Sequence, residues 1–217
     1  MEKIEFSKEY LEQWNNYLYP ETNTLKNKFN IKDHDQLAKI DAEISFEKLY
    51  ELYENPIKGN FDKEHLKSIH KYLFDDLYNW AGEYRTVFMQ KSTSLFAQVE
   101  TIDLELENDL KMLNENILQI KTVYELADFL AEYYICIQHI HPFREGNSRT
   151  IREFFRQFVL EKTPLLEIGP MELDLTKMDG NKLSDARLAT ARLFRGPIVM
   201  EFMKALTKRN NKQKVLK

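Results

Sequence analysis

Apolar positions recur at spacings of three and four along most of the chain, the period of a helix with one face turned inward. Leu66, Ile69, Leu73, Leu77 and Trp80 form one such stripe behind Asp62, whose carboxylate suits a helix N-cap. Leu104, Leu106, Leu110, Leu113 and Ile117 form another, starting after Thr101 or Asp103. The most apolar stripe, from Val123 through Leu126, Phe129, Leu130, Tyr133 and Ile137 to Ile140, predicts a central buried helix that delivers the chain to His141. Beyond a short loop, Ile151, Phe154, Phe155, Phe158 and Val159 predict a second strongly apolar helix, its aromatic rings read as core.

One stretch breaks this rhythm. Residues 85–90 and 95–99 carry β-branched and aromatic side chains around the polar Lys91-Ser92-Thr93-Ser94, which predicts a small β-hairpin. No second sheet is predicted for it to join. Such a hairpin is marginal unless packed, and its edge is a place where an extended peptide can pair. The breaks at Pro20, Asn55-Pro56, Gly59-Asn60, Gly82, Pro164, Gly169-Pro170 and Gly180-Asn181 separate helices. Without repeats or a long flexible linker, the pattern reads as one all-α domain over residues 1–207, a helical bundle with a hairpin, followed by a basic tail at 208–217.

Composition changes this picture little. The 217 residues are 43% hydrophobic and 30% charged, as expected of a globular chain, and the net charge of −4 argues against direct nucleic-acid binding. Cys136 is the single cysteine, so no intrachain disulfide can form; its apolar surroundings predict a buried, inert thiol in a reducing compartment. No window approaches the roughly 18 apolar residues of a membrane span, and the first residues lack a secretory pattern. A soluble, cytoplasmic protein is expected, although delivery into another cell would leave no such mark.

The chemistry concentrates in residues 141–152. Gly146-Asn147-Ser148 opens the second apolar helix, and small residues there leave backbone N–H groups and the positive dipole end for phosphate oxygens. Arg149 and Arg152, three apart, face the same way and can fork onto phosphates; Arg156 continues that face. Glu145 sets a carboxylate beside this nest, where phosphates recruit Mg²⁺. His141 is poised to take a proton from an attacking hydroxyl. Phe143 anchors the loop, and His139 is read as structural. Together these residues form a site for in-line attack of a hydroxyl on a nucleotide phosphate.

This segment resembles the Fic family motif, His-x-Phe-x-Asp/Glu-Gly-Asn-Gly-Arg-x-x-Arg, at His141, Phe143, Glu145, Gly146, Asn147, Arg149 and Arg152; Ser148 stands where the family usually has Gly. Residues 77–85 look like the segment leading into the family's flap, and residues 19–28 resemble members from toxin systems and translocated effectors. The resemblance implies a Fic-like helical bundle with a β-hairpin flap next to the active-site loop, and transfer of AMP from Mg²⁺-ATP to a Tyr, Ser or Thr hydroxyl of a target protein. It makes His141 the base and Glu145 the Mg²⁺ ligand. Gly146, Asn147 and Ser148 become the phosphate cradle, Arg149 and Arg152 the phosphate arginines. Phe88, Met89, Gln90, Lys91, Leu95 and Phe96 become the flap that docks the target.

The family's inhibitory pattern, Ser/Thr-x-x-x-Glu-Gly/Asn, has no clear copy, so the resemblance implies restraint by a separate small antitoxin, and type II topoisomerase subunits are the first targets it names. Transfer of UMP, phosphocholine or bare phosphate, and a catalytically weak nucleotide-binding module, are the alternatives. At Ser148 two outcomes are open. A positive φ there costs on the order of 1 kcal/mol and Ser148→Gly speeds transfer, or the hydroxyl donates to phosphate and the change slows it.

Overall fold

The computed structural model describes residues 7–91, 94–187, 191 and 193–209. Among them are eight α-helices: α1 (Lys8–Asn16), α2 (His34–Glu54), α3 (Lys63–Phe74), α4 (Ile102–Asn116), α5 (Val123–Ile140), α6 (Asn147–Lys162), α7 (Gly180–Ser184) and α8 (Gly196–Ala205). The starts follow local chemistry. The carboxylates of Asp33 and Asp62 accept N–H bonds from Gln36 and His65, and Thr122 with Glu125 closes a capping box on α5.

The apolar α5 is the hub, as its unbroken hydrophobic pattern predicts. It packs on α4, α6 and α8, while α3 lies between α2 and α6. Leu126, Leu130, Ile137, Ile140, Ile151, Phe154, Phe155 and Phe158 are wholly buried. Each such side chain contributes about 1.5–3 kcal/mol of burial free energy.

Several boundaries differ from expectation. The Asp62 helix stops at Phe74, and Leu77 and Trp80 follow in turns that carry the chain to Gly82. Leu104 is exposed, because Ile102, Leu106, Leu110 and Leu113 occupy the inward face of α4. Cys136 is half-buried rather than buried. The hairpin is also shorter than predicted: β1 (Gln90–Lys91) pairs antiparallel with β2 (Ser94–Leu95).

The reason for the short hairpin lies in where the preceding backbone groups go. The N–H groups of Arg85 and Thr86 donate to Pro142 O and Tyr17 Oη, and Phe88 O accepts from Tyr10 Oη, so they are committed outside a ladder. An unpredicted second sheet joins β3 (Met171–Leu173) to β4 (Leu206–Lys208) antiparallel. Lys208, expected to open the basic tail, is therefore a strand residue, and 210–217 lie outside the described residues. Among the described residues, no helix is long and apolar enough to cross a membrane.

Candidate active site

The loop between α5 and α6 is built from its own sequence. Phe143 N–H donates to Asn147 Oδ1 at 2.9 Å, and Asn147 Nδ2 donates back to Phe143 O at 2.7 Å. Gly146, the residue before α6, has φ of 81°. A Cβ there would lie 2.3 Å from the Phe74 ring, so only glycine fits. Glycine also brings no capping side chain, which leaves the first N–H groups of α6 to a ligand. His141 takes a left-handed conformation, φ 50°, which turns the chain out of α5.

Below the loop sits a buried histidine that motif reasoning passes over. His70 Nδ1 accepts from Gly82 N–H at 2.8 Å, so its proton resides on Nε2, which donates to Glu145 O at 3.0 Å. Its ring stacks on Phe143, with centroids 3.8 Å apart. Burial pushes its pKa down to about 3, keeping it neutral. The periodicity held a signal: His70 lies four residues after Leu66, on the inward face of α3.

Arg85 was also missed. Only 1% exposed, it donates Nε to His141 O at 2.8 Å, Nη1 to Val87 O at 2.7 Å, and Nη2 to Ala97 O at 2.6 Å and Ile140 O at 3.2 Å. One guanidinium thus ties the flap to the end of α5. Burial lowers its pKa to about 10, leaving it charged at neutral pH.

The loop and flap enclose a cleft of about 200 Å³ lined by Met89, Gln90, Phe96, His141 and Arg144 through Arg149. The sequence-predicted His141, Glu145, Gly146, Asn147, Ser148 and Arg149 are therefore gathered in one place. Glu145 is half-exposed at its rim; Oε1 accepts Gly146 N–H at 2.9 Å and lies 3.6 Å from Arg149 Nη2. Among the described residues no cluster of three or more His, Cys, Asp or Glu forms. A single open carboxylate next to uncapped N–H groups nevertheless fits Mg²⁺, which keeps most of its shell for water and phosphate.

Other predicted residues sit differently. Arg152 is outside the lining, its Nε donating to Ser148 O at 3.1 Å. Arg156 does not extend a phosphate face; it is buried against Glu153 at 2.7 Å and Leu52 O at 2.8 Å. Ser148 lies within α6 rather than at a positive φ, and its Oγ accepts from Gln138 Nε2 at 3.3 Å. The strain expected there is absent because the left-handed positions are His141 and Gly146.

In the flap, Leu95 and Gln90 are exposed and Phe88 and Met89 half-buried. Phe96 is buried, its ring stacked on His141 with centroids 3.9 Å apart and planes 6° apart, so it holds the imidazole instead of facing outward. The Lys91 side chain, with Ser92 and Thr93, falls outside the described residues.

The Fic/DOC family matches residues 60–159, which span the loop, its supports and the flap. Over 145 residues the chain is 30% identical to the probable protein adenylyltransferase Fic of Salmonella typhimurium, covering 66% of this chain and 72% of that protein. The chain belongs to the Fic/DOC family. It is also 37% identical over 154 residues to the protein adenylyltransferase VbhT of Bartonella schoenbuchensis, covering 67% of this chain and 30% of VbhT. This Fic chain thus spans less than a third of the length of that relative. Among solved structures, the BepC effector of Bartonella tribocorum with bound AMPPNP superposes with a TM-score of 0.78 at 25% identity, covering 90% of this chain and 98% of that one.

Proposed function

We propose that this Fic chain transfers AMP from Mg²⁺-ATP to a hydroxyl of a target protein. The observation that carries the reading is the shared cleft: an imidazole, a rim carboxylate and the uncapped start of α6 converge where a nucleotide's phosphates fit. The names of its relatives, protein adenylyltransferases, and a similar fold holding AMPPNP support the same chemistry.

The target oxygen attacks the α-phosphorus as its proton passes to the His141 imidazole. The bond from that phosphorus to the β-phosphate's bridging oxygen breaks, and pyrophosphate leaves. The backbone N–H groups of Asn147 and Ser148 hold phosphate oxygens, with Arg149, and Arg152 once it turns from Ser148 O into the cleft, on the terminal phosphates. Glu145 is the residue that would hold Mg²⁺, which when bound would supply positive charge to the departing pyrophosphate. Phe96 fixes the imidazole plane, and the outer edge of the flap at Gln90 pairs with an extended target segment. The chain acts in a cytoplasm and is restrained by a separate small antitoxin. Type II topoisomerase subunits are the first targets to try.

The test is incubation with labelled ATP, Mg²⁺ and a bacterial lysate, followed by mass spectrometry of the labelled protein. An added AMP is expected. A mass gain of phosphate, or of UMP or phosphocholine in parallel incubations supplied with UTP or CDP-choline, replaces the reading with another transfer, and nucleotide binding without any modified protein in all of them replaces it with a binding module.

A further inference from the structure

Arg149 is gripped from a helix that the motif does not include. Its Nη1 donates to a carboxylate oxygen of Asp41 and, at 2.8 Å, to Ser45 Oγ, both on α2 and one turn apart. The other Asp41 oxygen accepts from Tyr78 Oη at 2.8 Å. The Asp41 side chain is 8% exposed and that of Arg149 24%. The guanidinium lies over the Phe74 ring, 4.7 Å from its centroid, and Nη2 turns toward Glu145 Oε1 at 3.6 Å.

A buried carboxylate is stable only when paired, and Asp41 receives both an arginine and a phenol. The grip divides the guanidinium. Nη1 is committed to α2, while Nη2 faces the cleft beside the rim carboxylate. A free arginine must give up rotamer freedom to meet a phosphate; one already held by a second helix has given it up on folding.

We infer that Asp41, Ser45 and Tyr78 are positioning residues of the transfer site: they hold Arg149 by Nη1 so that Nη2 meets a terminal phosphate next to Glu145. This rests on the reading of the cleft as a Mg²⁺-ATP site. It makes the Arg149 contact a single directed bond instead of a fork. It also opposes a competing design, in which Asp41 withholds Arg149 from nucleotide and its removal strengthens binding.

The test measures Mg²⁺-AMPPNP affinity by calorimetry and ATP-dependent labelling rates, with melting curves as a fold control. Asp41→Asn keeps the shape and removes the charge; affinity should fall about tenfold, a change equivalent to about 1.4 kcal/mol. In an Arg149→Ala background the same substitution should change affinity hardly at all, because the anchor then holds nothing. Ser45→Ala, which leaves no buried charge behind, should weaken binding about twofold to threefold through loss of one hydrogen bond. Full additivity with Arg149→Ala, unchanged affinity in Asp41→Asn and Ser45→Ala, or tighter binding in Asp41→Asn overturns the inference. Wild-type protein that binds no AMPPNP removes the nucleotide site and the anchor together; wild-type binding with insensitive variants removes the anchor alone.

Discussion

The two walls of the cleft are built on opposite plans. The nest wall, from His141 to Arg149, is one continuous stretch whose backbone turn is closed locally, by the Asn147 and Phe143 exchange and by Thr150 Oγ1 donating to Gly146 O at 3.0 Å, while His70 and Asp41 brace it from below. The flap wall, from Phe88 to Phe96, has two-residue strands and takes its shape from Arg85, Tyr10 and Tyr17 outside it. A backbone turn closed on itself presents fixed N–H groups to a small charged ligand. A wall held from elsewhere keeps a strand edge for a macromolecule while its shape depends on distant bonds.

Removing chemistry from the nest wall should have the largest effect and leave the architecture alone. His141→Ala is expected to lower target labelling by roughly 10²- to 10⁴-fold, as loss of a general base does, with the fold kept and the melting temperature lowered only by the lost stacking on Phe96. Labelling at the wild-type rate would take the proton-accepting role away from His141.

Next comes the flap wall, broken at its tie. Lysine at position 85 keeps the charge but reaches far fewer of the carbonyls of His141, Val87, Ala97 and Ile140. With bonds from a charged donor worth about 1.5–3 kcal/mol each, Arg85→Lys should cut labelling by roughly tenfold to a hundredfold and speed protease cleavage within residues 85–98. Equal cleavage rates in both proteins would mean that the flap holds itself.

The support beneath the nest can be probed by pH. His70 has a folded pKa pushed down to about 3 from an ordinary 6.5. Between those values the unfolded chain binds the extra proton, so stability is lost as pH falls through that window and is fully present above about 6.5. His65, its pKa lowered chiefly by burial, acts in the same direction. The melting temperature should drop from pH 7 to pH 4, with His70 contributing a slope of up to about 1.4 kcal/mol per pH unit. His70→Gln should flatten the profile, and a slope identical to wild type would show that His70 is not the group responsible.

Ser148→Gly should have the smallest effect. The residue is helical and unstrained and its hydroxyl accepts from Gln138, so glycine relieves nothing and costs about 0.5–1 kcal/mol of helix propensity. A slightly lower melting temperature and a labelling rate equal to wild type or about twofold slower are expected, the modest drop following from a lost hydrogen bond. A clear acceleration would revive strain at this position.

The motif residues and the helices carrying them were legible because their determinants are local. Asp62 sits beside the turn it caps, α5 is apolar nearly all round, and His141 and Arg144 through Arg149 meet in one cleft because they adjoin in the chain. Arg156 and Phe96 show where that reading stops: spacing made one a continuation of the arginine face and the resemblance made the other a docking residue, and packing buries both. Asp41 on Arg149, Arg85 on four carbonyls and His70 under Glu145 were decided only in three dimensions. A cap or an apolar stripe is satisfied within a few residues, so the sequence alone determines it. A buried charge or imidazole takes its partner from any distance along the chain, and the choice is settled only when packing excludes water and an unpaired polar group becomes costly.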